Sequence, residues 1–144
     1  MPSVNQSALV GFSAQQMYQL VNDYEQYPHF LPGCVGAHTL NRSEKELTAE
    51  LVISKAGISQ QFTTHNVMQP NREILIELVE GPFRFLKGMW RFDPLDECSC
   101  IIRLQLEFEF SNFLISKVFG KIFEQLTQKM VAAFKQRANE VYGG

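Results

Sequence analysis

The feature that most limits what this chain can fold into is a change of hydrophobic period near residue 112. Before it, apolar residues tend to occupy every second position; after it, they recur with a helical period. The clearest stretch is the last before the change. Ile102, Leu104, Leu106, Phe108 and Phe110 share one face, and Arg103, Gln105, Glu107 and Glu109 share the other. That is the pattern of an antiparallel strand with one buried and one solvated side. Leu86, Gly88, Trp90 and Phe92 alternate with Lys87, Met89 and Arg91 in the same way. Turn chemistry at Asn41–Glu44, Lys55–Gly57, Gln69–Arg72, Gly81–Pro82 and Pro94–Glu97 divides Cys34–Phe110 into six strands.

From Phe113 to Tyr142 the apolar side chains follow a helix. Ile115, Phe119, Ile122, Phe123, Leu126, Met130, Ala133, Phe134 and Val141 cluster on one face, with Lys117, Lys121, Gln128 and Lys135 opposite. A helix of this length reaches about 45 Å, enough to cross a sheet. Gly120 sits inside it at a cost of about 1 kcal/mol relative to Ala, so a close approach to a strand or to the early helices is expected there. Upstream, Val4–Val10 alternates weakly and breaks at Gly11, as a first strand would. Ser13 and Gln16 stand at capping-box spacing, Phe12 is placed to staple against Met17, and Met17, Leu20, Val21 and Tyr24 follow at helical spacing. Pro28 and Pro32 then prevent one regular helix, leaving a short turn and an aromatic loop. The order predicts an α+β, helix-grip architecture: a curved antiparallel sheet of about seven strands around a long C-terminal helix. No repeat or linker interrupts the 144 residues, which are read as one domain, 1–144.

Charge and cysteine content narrow the function classes. The formal net charge of −2 argues against binding duplex DNA, which needs a broad basic surface. That total hides an asymmetry: −5 up to Asn112 and +3 from Phe113 onward. A basic last segment on an acidic body suits contact with an anionic partner. No apolar run approaches the roughly 18 residues of a membrane span, and the start carries no basic and apolar signal pattern. Cys34, Cys98 and Cys100 are odd in number and include no C-x-x-C pair, which argues against a disulfide framework or a zinc site and for a cytoplasmic protein with reduced thiols.

The residues point away from catalysis. G-x-S-x-G, Walker A, dinucleotide-glycine and H-E-x-x-H motifs are all missing, and His29, His38 and His65 have no carboxylate at a suggestive spacing. No catalytic or metal-ligating residue is assigned, and no cofactor is required. The aromatic inner faces say more. Phe62, Trp90, Phe92 and Phe108 from the strands can meet Phe119, Phe123 and Met130 from the helix. Packing alone accounts for any one of these rings; the alternative is a pocket for an elongated apolar ligand enclosed between sheet and helix. Arg137 falls in the middle of the apolar face. It either snorkels to water from the helix end or donates to a ligand's polar head. Lys117, Lys121 and Lys135 form either a solvated face or a docking surface, to which loop side chains such as Tyr27 or His29 would add.

Several segments together resemble the coenzyme-Q-binding START-like proteins, relatives of the polyketide cyclases and dehydrases. They are Val21-Asn22-Asp23-Tyr24-Glu25-Gln26-Tyr27-Pro28-His29-Phe30-Leu31-Pro32-Gly33-Cys34 and Gly81-Pro82-Phe83 followed by Leu86, Gly88, Trp90 and Phe92. Phe108-Glu109-Phe110-Ser111-Asn112, Phe119-Gly120, Ala133-Phe134, Arg137-Ala138 and Val141-Tyr142-Gly143 continue the likeness along the chain. Lys55-Ala56-Gly57-Ile58-Ser59 before Phe62-Thr63-Thr64 is similar to a bacterial toxin branch that associates with ribosomes. The resemblance implies a helix-grip fold with an apolar cavity and no catalytic residues. It implies two roles. One is binding ubiquinone or a similar polyprenyl quinone in support of respiratory electron transport, with at most transient membrane contact. The other is binding the large ribosomal subunit and blocking its association with the small one.

Overall fold

The computed structural model describes residues 3–143. Seven strands appear: β1 (Ser3–Val10), β2 (Cys34–Arg42), β3 (Glu46–Lys55), β4 (Ile58–Gln69), β5 (Glu73–Glu80), β6 (Phe83–Asp96) and β7 (Ser99–Phe110). Between β1 and β2 lie α1 (Ala14–Asn22) and a short 3-10 helix at Tyr24–His29; α2 (Phe113–Tyr142) ends the chain. All strand pairs are antiparallel in the order β1-β7-β6-β5-β4-β3-β2. Successive strands are neighbours because each expected turn closes a hairpin. β1 alone pairs far away in sequence, with Val4 opposite Leu106 and Val10 opposite Cys100. Register shifts in β2, β4 and β6 interrupt the ladder, and such irregularities add the local twist that curls a sheet around a helix.

The capping box forms: Gln16 N donates to Ser13 Oγ at 3.1 Å, and Ser13 N donates to Gln16 Oε1 at 3.0 Å. The aromatic contact found for Phe12 is to another element, its ring centroid lying 5.9 Å from that of Tyr142, while Met17 is wholly buried. Asn112 caps α2 by accepting from Ile115 N at 2.9 Å. Phe119, Phe123, Leu126 and Phe134 are buried, joined by Thr127, Val131 and Ala138, which the apolar periodicity did not single out. Val141, expected on the apolar face, is 48% exposed.

The core is built from rings. Phe123 lies 4.8 Å from Phe108, 4.9 Å from Phe83, 5.9 Å from Phe62 and 5.9 Å from Phe119, centroid to centroid. The β5–β6 turn must be tight for Phe62 and Phe83 to meet. At Gly81, with φ 153°, a Cβ would stand 2.5 Å from Phe62 Cβ, so only glycine fits. Gly120 approaches β7 as expected: a Cβ there would meet Phe110 Cε2 at 3.4 Å. Among the described residues no helix is long and apolar enough to cross a membrane.

Candidate functional site: an apolar cavity and the outer face of the long helix

Where α2 crosses the curl of the sheet, the rings do not fill all the space. A cavity of about 50 Å³ remains, lined by residues that include Phe62, Trp90, Phe123 and Met130, four of the expected group. Leucines and Ile76 supply most of the rest, and Tyr24, Thr64 and Thr127 bring the polar atoms. The other three expected rings are buried but stand behind the wall. Phe92 stacks on Trp90 at 6.3 Å and meets Tyr18 edge-on at 5.8 Å. Phe108 and Phe119 belong to the ring cluster around Phe123. At this size the space holds a few waters and is well below the roughly 300 Å³ at which ligand pockets begin.

Arg137 is not in the cavity. It lines a surface groove of about 350 Å³ with His29, Phe30 and Lys129. Its guanidinium carbon stands 5.3 Å from the Phe30 ring centroid, close enough for a cation–π contact. Nη1 donates to Glu140 Oε1 at 3.4 Å. The side chain is 24% exposed, as the snorkelling reading requires. Helical angle placed it on the apolar face correctly; its position along the axis puts it outside the cavity.

Polar residues that the sequence pattern passed over gather beside the cavity. Tyr24 and Tyr27 are both buried, their rings 4.6 Å apart. Tyr27 donates to the Val21 carbonyl, and Asn66 Nδ2 donates to the Tyr24 hydroxyl at 2.6 Å. Burial pushes both phenols above their ordinary range, so both stay protonated and available as donors at neutral pH. Tyr27 is therefore no surface contact, whereas His29 is exposed. The missed signal was the combination of a helix-end Tyr pair with an Asn on a strand's apolar face.

Lys117, Lys121 and Lys135 all lie exposed on the outer side of α2. Phe113 and Leu114, at the start of that helix, are 81% and 67% exposed. Lysines beside an uncovered aromatic and an uncovered leucine make this end both basic and adhesive. The chemistry elsewhere is sparse. His65 bridges Thr48 Oγ1 and Glu46 Oε1, each at 3.0 Å, a carboxylate partner that sequence spacing did not reveal. These are cross-strand neighbours on β3 and β4, whose backbones are paired along the ladder, so this row does not present an oxyanion hole. Burial pushes the Cys34 and Cys100 thiols up to about 11, which keeps them protonated and unreactive. No group of three His, Cys, Asp or Glu suited to a metal occurs among the described residues.

Comparison with known proteins matches this architecture. The family model described as polyketide cyclase/dehydrase and lipid transport covers residues 10–135. The ribosome association toxin RatA of Vibrio cholerae is 54% identical over 143 residues, covering 99% of each chain. The mitochondrial coenzyme Q-binding protein COQ10 homolog B of Xenopus laevis is 27% identical over 96% of this chain and 59% of its own length. A START superfamily protein of Mycobacterium smegmatis superposes with TM-score 0.69 at 23% identity, over 94% of this chain and 98% of that one, a likeness of fold. The curved seven-stranded sheet, the gripped helix and these matches agree, and the chain belongs to the polyketide cyclase/dehydrase and lipid transport family.

Proposed function

We propose that this protein is a non-catalytic inhibitor of translation that binds the large ribosomal subunit and blocks subunit association. The observation that carries the reading is the 54% identity, over essentially the whole of both chains, to a ribosome association toxin. The outer face of α2 supplies a physical basis. Lys117 and Lys121 stand one helical turn apart and are exposed, so they can meet ribosomal RNA phosphates although the chain carries a net charge of −2. Phosphate contacts alone do not select one surface. Phe113 and Leu114 beside these lysines, with His29 at the loop, add the shape and stacking that selection needs. The test is sucrose-gradient sedimentation of ribosomes with wild type and with a Lys117→Glu/Lys121→Glu/Lys135→Glu variant. Wild type should travel with the large subunit and deplete joined ribosomes, and the variant should do neither. Wild type remaining at the top of the gradient at low salt would end this reading.

A second reading, binding of ubiquinone or a similar polyprenyl lipid in support of respiration, draws on the family's lipid-transport members and the distant coenzyme Q-binding relative. The apolar lining of the cavity favours it, and the cavity's volume of about 50 Å³ counts against it. Organic extraction of the purified protein followed by mass spectrometry tests it directly: a co-purifying prenylated lipid supports it, and its absence removes it.

A further inference from the structure

On the flank of α2 that faces the loop at residues 30–33, two surface grooves join. One, of about 350 Å³, has His29, Phe30, Lys129 and Arg137 in its lining; the other, of about 220 Å³, has Ser54, Lys55, Gln125 and Lys129. Pro32 and Lys129 border both, so the two make one trough outside the core. From Gln125 to Arg137 it follows α2 for about 18 Å. Its walls are tied together. Ser54 N donates to the Gly33 carbonyl at 2.9 Å, which fastens the loop to the end of β3. Lys55 Nζ donates to Gln125 Oε1 at 3.2 Å, which holds that ammonium beside the helix. Between Lys129 and Gln136 the helix contributes Ala132 and Ala133, whose small side chains leave the middle of the trough open.

The trough is basic although the chain carries a net charge of −2. Lys55, Lys129 and Arg137 line it, against one carboxylate, Glu140, at its far end. Arg137 has more donors than acceptors. Among the described residues its guanidinium bonds to Glu140 Oε1 at 3.4 Å; Nε is buried without a partner, and Nη2 is neither bonded nor enclosed. A guanidinium offers five N–H donors in a fork that matches phosphate oxygens. The Phe30 ring beneath it, 5.3 Å from the guanidinium carbon to the centroid, is partly exposed. Ring and guanidinium together offer a face on which a nucleic-acid base can stack.

We propose that this trough binds single-stranded RNA, with phosphates along Lys55, Lys129 and Arg137 and one base against Phe30 and Arg137. A row of cations beside a stacking face suits one strand, whose bases are free; a duplex keeps its bases paired and is too wide for a groove of this volume. A lipid surface is flat and does not reach the floor of a concave site. The proposal deepens the ribosome reading and rests on it for the source of the strand, an unpaired segment of large-subunit RNA. Lys117, Lys121 and Lys135 lie outside the trough, so the two sets of contacts can be tested apart.

Fluorescence anisotropy of fluorescein-labelled hexauridylate, titrated at several potassium chloride concentrations, tests the trough alone. Wild type should bind it, and the plot of log affinity against log salt should flatten by about 0.7 for each lysine removed in Lys55→Gln and Lys129→Gln. Both lysines are exposed, so the double variant should keep the wild-type Tm. Arg137→Lys, which keeps the charge and loses the fork, should weaken binding and leave the slope unchanged. In sucrose gradients of rising salt, the double variant should leave the large subunit at lower salt than wild type. Equal hexauridylate binding by wild type and the double variant would overturn the proposal, as would displacement of hexauridylate by hexaglutamate at equal concentration, which would mark a site for acidic peptides. Wild type that stays with large subunits while the double variant does so equally well would also overturn it and leave the ribosome reading standing. Wild type that never joins the large subunit, yet needs Lys55 and Lys129 to hold hexauridylate, would end the ribosome reading and support the trough as an RNA site.

Discussion

Replacing Gly120 by alanine should stabilise this protein. A glycine inside a helix costs about 1 kcal/mol relative to alanine, through the backbone freedom it surrenders on folding. The substitution helps only if the new methyl fits. At Gly120 a Cβ would meet Phe110 Cε2 at 3.4 Å, Ser116 Oγ at 3.7 Å and Phe110 Cζ at 3.8 Å, all ordinary contacts with side chains. At Gly88, by contrast, a Cβ would stand 2.5 Å from Leu106 Cδ1 and 3.1 Å from the Gln105 carbonyl oxygen. Gly120→Ala should therefore add about 1 kcal/mol, and a chain of this size gains about 3–4 °C in Tm from that. Thermal unfolding followed by circular dichroism and urea titration with an unchanged m-value would measure both. A lower Tm would refute the reasoning, because Phe110 would then be unable to tolerate the methyl and the glycine would be required by packing.

Two further outcomes follow from the geometry. Burial raises the Cys34 and Cys100 thiols from 9.0 to about 11, so they ionise in the unfolded chain before they ionise in the folded one. Their contribution is full below pH 9 and is lost as pH rises towards 11; urea midpoints should fall over that window, and less steeply in a Cys34→Ala/Cys100→Ala variant. Identical pH profiles for the two proteins would count against it. Ser13→Ala removes the acceptor of the capping box and should cost about 1 kcal/mol in urea unfolding, whereas no change would show that water replaces the cap without loss.

The residues differ in how openly they declared their places. Turns were legible because glycine, proline and asparagine carry the backbone conformations turns need, and the strands were legible from alternation. The Ser13–Gln16 cap and the span of α2 were local too, decided within a few residues. What periodicity could not give was depth. It put Phe92, Phe108 and Phe119 on inner faces, where they are buried, but which rings border a residual hole depends on three-dimensional packing. It put Arg137 on the apolar face without saying that the last turns of α2 lie against Phe30. Val141 was misplaced for the same reason. Asn66 and Tyr24, 42 residues apart, form a pair that only the hairpin topology and the fold of the 3-10 segment bring together.

The pairing of β1 with β7 and the covering role of α2 also govern how the chain matures during synthesis. β1 is made first and has no strand partner until β7 follows nearly a hundred residues later, so sheet completion depends on a contact of long sequence separation, which slows folding. Even then Trp90 and Phe108 would face water, because the rings packed on them, Phe134 and Phe123, belong to α2, which is made after β7. A nascent chain therefore carries an uncovered aromatic sheet until α2 has followed β7, and this is the interval in which it most needs protection from aggregation. The lysines of α2 emerge with the same segment that closes the fold. Under the proposed function, a chain that inhibits ribosomes acquires its contact surface only with the segment that completes its core.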